Sequence, residues 1–214
     1  LVAMTADMLL DGVHFESGRQ PFELIGRKAI ACSLSDCAAM ACEPRTATVS
    51  IALNQAMLFE DVQRLYEGMA GIADEYGCAI VGGDTTSWSG RLAIDVAMLA
   101  EPMSLRGPIR RSTAGPGDMI YVSGLLGGSL AGKHLTFTPR LDLARRLVFS
   151  HALHAMMDIS DGLAMDLDRM CAASKCGAEL YSEQLEQVIS SAAREMAVQD
   201  GRSPVEHALS DGED

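Results

Sequence analysis

Residues 46–88, TATVSIALNQAMLFEDVQRLYEGMAGIADEYGCAIVGGDTTSW, decide the fold class of this chain. Thr46 to Leu53 alternates β-branched residues with small ones over the length of a strand. Leu58, Val62, Leu65, Met69, Ile72 and Tyr76 then recur at unbroken three- and four-residue spacing, and Gly77 follows as a stop. A 3.6-residue period brings those six side chains onto one face, so the pattern predicts an amphipathic helix. Cys78 to Trp88 reads as a strand again, with glycines before an aspartate.

The same punctuation extends in both directions. LVAMTADMLL at residues 1–10 reads as a strand. PFELIGRKAIACSLSDCAAMACEP at residues 21–44 has Ile25, Ala29, Cys32 and Ala39 at helical spacing, and Pro44 closes it. RLAIDVAML at residues 91–99 predicts a further strand, joined to the preceding one by a hairpin-type turn at Ser89-Gly90. The order βαβαββ makes residues 1–105 an α+β domain whose sheet face two helices need not fully cover. Residues 106–117, rich in Pro, Gly and Arg, read as a linker. Residues 118–214 form a second α/β domain, with strands expected at DMIYVSG (118–124), HAMMDI (154–159) and GAELYS (177–182). Helices are expected at PRLDLARRLVF (139–149), GLAMDLDRMCAAS (162–174) and LEQVISSAAREMAVQ (185–199), and the end turns into another strand or loop.

Composition limits the functions that such a fold can carry. The chain has 214 residues, 48% hydrophobic and 21% charged, which is ordinary for a globular protein. A net charge of −12 and a pI near 4.8 argue against nucleic acid or anionic lipid as partner. Anionic ligands then require a local device, and a divalent cation is the obvious one. Six cysteines occur without a C-x-x-C pair, which predicts reduced, mostly buried thiols in a cytoplasmic protein. No apolar run approaches the length of a membrane span.

Four acids stand out by position. Asp7 ends the first strand, Asp36 falls on the apolar stripe of its helix, Asp84 follows Val81-Gly82-Gly83, and Asp158 opens DISDGL after an apolar run. Asp161 completes that motif, and for Ser160 or Asp161 taken alone a helix cap is the stronger reading. A carboxylate on an apolar stripe must be paired, hydrogen-bonded or metal-bound. Hard oxygen donors from several strand ends are what Mg²⁺ ions bridging phosphates require, although each acid alone reads as a turn or cap residue. Gly127 to Lys133 fits G-x-x-x-x-G-K, the spacing of a phosphate-cradling loop. His134 follows where Ser or Thr would bind Mg²⁺, so a glycine loop for close backbone approach is the stronger reading. His14 and the linker's Arg111 carry structural readings beside functional ones.

TADMLLDGVHF, IGRKAIACSLSDCAAMACEP, VGGDTT, RRSTAGPGD, DISDGL and ALSDGED, in this order, resemble the thiamine-monophosphate kinase family. That family lies within the superfamily that also holds aminoimidazole ribonucleotide synthetase and selenophosphate synthetase. The resemblance implies ATP-dependent phosphorylation of thiamine monophosphate to thiamine diphosphate by direct in-line transfer. It implies a homodimer and no covalent nucleophile, so that catalysis is positioning and charge neutralisation. By the same resemblance Asp7, Asp36, Asp84 and Asp158 hold Mg²⁺ ions, with Asp161 joining a further ion, and Thr5 and Ala6 belong to the metal site with Asp7. Gly83, Asp84, Arg111 and Ser160 contact ATP, and His14 and Glu213 contact the thiamine substrate. Ala6 stands where the family usually has threonine. The family's upstream Gly-Asp-Asp motif and a later substrate-packing aromatic fall outside this sequence. Two alternatives stay open: another ATP-using member of the superfamily, or a non-catalytic dimeric scaffold whose acids are solvated turns.

Overall fold

The structure, a computed structural model, describes residues 1–213; Asp214, the last residue of the second expected domain, lies outside the described residues. The chain divides into two compact units. One comprises Leu1–Pro108 with Thr138–His151, and the other Ile109–Phe137 with Ala152 onward.

The first unit runs β1 (Ala3–Leu10), α1 (Phe22–Ala39), β2 (Cys42–Asn54), α2 (Phe59–Glu75), β3 (Ala79–Trp88) and β4 (Ala93–Pro102). The expected βαβαββ order is therefore present. The four strands lie in the order β1-β4-β2-β3, with β2 parallel to β3 and β4 antiparallel to both β1 and β2. Helix α1 packs over β1, β4 and β2, and α2 packs on α1 and β3. Leu9, Val49, Ile51, Ile94, Val96 and Met98 are buried, together with Ile25, Ile30 and Leu34 of α1 and Leu65, Met69 and Ile72 of α2. The intervening positions are largely open, and Met4, Met8, Leu10 and Leu99 are exposed. Period-two alternation makes this division, since only one face of the sheet carries helices.

Two local expectations change. Ser89-Gly90 is not a hairpin turn, because β2 lies between β3 and β4. The connection instead crosses the end of β2, where the Asn54 side-chain amide donates to the Gly90 carbonyl at 2.6 Å. Pro44 does not close α1. The helix ends at Ala39, Ala41 takes φ 49°, and Pro44 sits in β2 at the register irregularity against β4. A proline without an N–H is tolerated where the ladder is interrupted.

The predicted helix over 139–149 is α4 (Leu141–Ser150), which follows α3 (Lys133–Thr136) in the sequence and belongs to the first unit. Arg145 pairs with Glu43 at 2.7 Å, and the Tyr76 hydroxyl donates to the Pro139 carbonyl at 3.2 Å.

The second unit holds the short α3, α5 (Leu163–Ser174), α6 (Ser182–Gln187), α7 (Ser191–Asp200) and α8 (Pro204–Ser210). Its core joins Leu126, Leu163, Leu185, Ile189, Ala193 and Ala208. The segments 118–124, 154–159 and 177–182, expected as strands, belong to no strand ladder among the described residues; the unit has one isolated bridge, Leu126 with Ile189. Apolar, β-prone sequence becomes a strand only where a neighbour receives its N–H and C=O groups. The expected helix over 185–199 is two helices. Ser190 breaks it by accepting from Ala193 N at 2.9 Å, which caps α7, while its hydroxyl donates to the Gly127 carbonyl at 2.5 Å. The terminal segment, expected as strand or loop, is α8, started by a capping box of Ser203 and Glu206 with Pro204 between them.

Candidate functional site

In the first unit, β1 and α1 bring Asp7 and Asp36 together. Ser33 Oγ donates to Asp7 Oδ2 at 2.6 Å, and the Thr5 hydroxyl donates to an Asp36 carboxylate oxygen. Alternation along β1 aims Thr5 and Asp7 at α1, and the three-residue step from Ser33 to Asp36 places both partners on the facing side of that helix. Burial raises the Asp7 pKa, and the neighbouring charges of Asp36 and Asp95 raise it further against the opposing bonds from Ser33 and Thr5. An acidic pair held at this cost is chemically suited to a hard cation. Ala6 is exposed and brings no side-chain oxygen, so the hydroxyl next to this pair is that of Thr5.

Asp84 stands apart from them. The sheet order puts Asp7 on one edge strand and Asp84 on the opposite one, three strand spacings or about 14 Å across. Val49 pairs with both Val96 and Gly83, and Val96 pairs with Asp7, so the row of Asp7 ends at Gly83, one residue before Asp84. Gly83 has φ 149°, and a Cβ there would meet the Val49 carbonyl at 1.8 Å. Asp84 is exposed, and its Oδ1 accepts the Thr85 N–H at 2.9 Å. Among the described residues, no group of three or more His, Cys, Asp or Glu is assembled to hold a metal ion. His14 is exposed in the turn after β1, where the Leu10 N–H donates to its Nδ1 at 3.0 Å and Lys28 Nζ donates to its carbonyl at 2.6 Å.

In the second unit, the turn holding Asp158, Ser160 and Asp161 lies against the chain end that carries Glu213. A Cβ on Gly162, at φ 99°, would come within 2.8 Å of the Ser210 backbone, and one on Gly212 within 2.0 Å of the Ser160 carbonyl. The two D-G motifs therefore pack backbone to backbone. Asp158 is half-buried, Ser160 and Asp161 are exposed, and Asp161 pairs with Arg169. Glu213 takes φ 58°, uncommon for a residue with a side chain. Arg111 is exposed, with its carbonyl accepting from Ser174 Oγ at 2.8 Å.

The glycine-rich loop has a structural role. A Cβ on Gly127 would meet Ala208 N at 2.8 Å, and one on Gly128 would meet Ala193 N at 2.5 Å, so the loop admits α8 and α7 at close range. Lys133 Nζ donates to the Leu125 carbonyl at 3.3 Å, and α3, which Lys133 begins, has four residues. The Gly128 N–H goes to buried Asp211 at 2.7 Å, an internal carboxylate in the place of a phosphate.

Comparison with known proteins identifies the group. The AIR synthase related protein N-terminal domain matches residues 1–101, and the corresponding C-terminal domain matches residues 120–210. The thiamine-monophosphate kinase of Rhodopirellula baltica is 46% identical over 97% of this chain, and the chain spans 64% of that protein's length. The thiamine-monophosphate kinase of Aquifex aeolicus is 32% identical over 99% of the chain and 72% of its own length. The chain belongs to the thiamine-monophosphate kinase family. A solved structure of AaThiL complexed with AMPPCP and TMP superposes with a TM-score of 0.89 at 30% identity, covering all of this chain and 72% of that one.

Several residues that shape this thiamine-monophosphate kinase family member escaped the sequence reading. Ser33 was legible in principle, one turn before Asp36. Asp95 lies in a strand without glycines or hydroxyls around it. Asp166 and Arg169 point back to the DISDGL turn, and Asp211 is the buried partner of fully buried His207, at 2.9 Å.

Proposed function

We propose that this protein transfers the γ-phosphoryl group of ATP to thiamine monophosphate, giving thiamine diphosphate and ADP. The observation that carries the reading is the 46% identity with a thiamine-monophosphate kinase across nearly the whole chain. A relative of the same fold binds AMPPCP and TMP. A terminal phosphate oxygen of the substrate attacks the γ-phosphorus in line, and the bond to the β-phosphate oxygen breaks.

The donors fit Mg²⁺ in kind, since Asp7, Asp36, Asp84, Asp158 and Asp161 all present carboxylate oxygens. Mg²⁺ commonly takes one or two carboxylates and completes its shell with substrate phosphates and water, so a pair such as Asp7 and Asp36 suffices without a three-residue cage. When bound, such ions neutralise phosphate charge that a chain of net charge −12 would otherwise repel. Gly83, Asp84, Arg111 and Ser160 contact ATP in this reading, with Arg111 clamping phosphate through its planar guanidinium. His14 and Glu213 contact the thiamine substrate. Its Nδ1 being an acceptor, neutral His14 carries the ring proton on Nε2 and can donate it to the substrate.

The exposed Met4, Met8, Leu10 and Leu99 on the uncovered sheet face support a homodimer. The six cysteines are all free thiols, which suits a cytoplasmic protein. No helix among the described residues is long and apolar enough to cross a membrane.

The test is ADP release by the intact protein, with and without thiamine monophosphate, Mg²⁺ and chelator. ADP release is expected only with both substrates and Mg²⁺. Turnover undiminished in excess chelator would remove the cation from the scheme, and absence of substrate-dependent ADP release would remove the kinase reading.

A further inference from the structure

Helix α5 opens directly after the DISDGL turn, and its fourth residue, Asp166, is 1% exposed. A buried carboxylate is stable only when its lone pairs are taken up. Asp166 Oδ2 accepts the Ser160 N–H at 2.9 Å and the Asp161 N–H at 2.8 Å, and Oδ1 accepts from Arg169 Nη1 at 2.9 Å. Arg169 also pairs with Asp161. Both amides belong to the turn and lie outside α5, so Asp166 does not cap its own helix. It fixes the two successive peptide planes from which the Ser160 and Asp161 side chains project.

The far end of α5 makes a second grip. Ser174 Oγ donates to the Arg111 carbonyl at 2.8 Å and accepts the Ala114 N–H at 3.1 Å. Asp166 and Ser174 are eight residues apart, about 12 Å along a helix. One rigid element thus holds the backbone of the two second-unit segments assigned above to ATP.

We propose that Asp166 is a positioning residue for the Ser160-Asp161 turn, and that α5 is the template setting the spacing between this turn and Arg111. The proposal rests on the kinase reading and goes beyond it, because neither Asp166 nor Ser174 touches a substrate.

The test compares the intact unsubstituted protein with Asp166→Ala, Asp166→Asn and Ser174→Ala. Affinity for ADP with Mg²⁺ is measured by calorimetry, and backbone amide exchange at Ser160 and Asp161 is measured without metal or nucleotide. Loss of charge-assisted bonds that hold a ligand-contacting turn predicts an ADP Kd roughly tenfold to a hundredfold higher in Asp166→Ala. Faster exchange of both amides is expected in the same variant. Asp166→Asn retains an acceptor oxygen and should recover most of both effects, and Ser174→Ala should weaken ADP binding without changing the Ser160 and Asp161 amides. In turnover, kcat should fall while KM for thiamine monophosphate stays unchanged. A purely structural role would instead lower Tm and leave the ADP Kd of the folded protein unaltered. Unchanged Kd in Asp166→Ala, with ADP bound normally by the unsubstituted protein, overturns the proposal alone. Should Asp166→Ala not fold, Asp166→Leu, which keeps the volume and removes every acceptor, takes its place, and an unchanged ADP Kd in it overturns the proposal equally. No ADP binding by the unsubstituted protein would overturn the kinase reading and this proposal with it.

Discussion

Gly212 lies against Ser160 so closely that a methyl group on it would come within 2.0 Å of the Ser160 carbonyl oxygen. The obstacle is backbone, so it cannot rotate away as a side-chain tip could. Gly212→Ala is expected to cost about 1–3 kcal/mol in stability, as overpacking does. It should also raise KM for ATP, because Ser160 must move. Thermal melts and steady-state kinetics would check both; an unchanged KM would uncouple the chain end from the DISDGL turn.

Asp7 is expected to trade stability for function. Burial and the charges of Asp36 and Asp95 raise its pKa, which means the ionised form is disfavoured in the folded state. At pH 7, where Asp7 is ionised in the unfolded chain, Asp7→Asn removes that cost. The metal-free Tm should rise, on the order of 2–4 °C, while activity is lost and the added stability from Mg-ATP shrinks. A lower Tm with activity retained would make Asp7 a structural acid.

Lys133 and Asp84 separate the phosphate-loop reading from the proposed one. Half-buried Lys133 is assigned no ligand contact, and Lys133→Ala should leave kcat/KM within about twofold. Asp84→Asn should lower it by about a hundredfold or more, the scale of lost electrostatic stabilisation in phosphoryl transfer. The reverse order would restore the glycine-rich loop as the ATP site.

Acid should loosen the second unit in a defined direction. The Asp118 pKa is lowered, first by the Gly115 N–H and then by His154, and that of Asp200 is lowered, first by the Arg202 N–H. A lowered carboxylate pKa contributes stability above the unfolded value and loses it as pH falls through the folded one. The loss should therefore begin below about pH 4. Amide protection factors near residues 115–118 and 200–207, each rate taken relative to the intrinsic exchange rate at its pH, should hold from pH 6 downward and fall only toward pH 3.

Much of this protein was legible because local periodicity carries it. The 3-4 spacing of Leu58 to Tyr76 and the β-branched alternation of Thr46 to Leu53 produce α2 and β2 in any context that offers a core. Ser203-Pro204 with Glu206 was an equally local signal for α8, although the terminal segment was expected as strand or loop. The motif order from TADMLLDGVHF to ALSDGED was sufficient to place the family.

Other features depend on partners remote in sequence. Whether Ser89-Gly90 makes a hairpin rests on which strand lies beside β4, and β2 takes that place. The apolar runs at 118–124, 154–159 and 177–182 have strand-like composition without a ladder to join. Asp7 meets Asp36 because β1 runs beside α1, whereas Asp84, with the same glycine-acid signature, lies on the opposite edge strand. The acids of DISDGLAMDLD likewise divide by contact: Asp158 and Asp161 belong to the turn, while Asp166 is buried beneath it. Residue type and spacing determined the element order of the first unit and the family. Which carboxylate is exposed, paired or buried as an internal anchor was decided by tertiary structure, because burial and hydrogen-bond donors come from segments far apart in the chain.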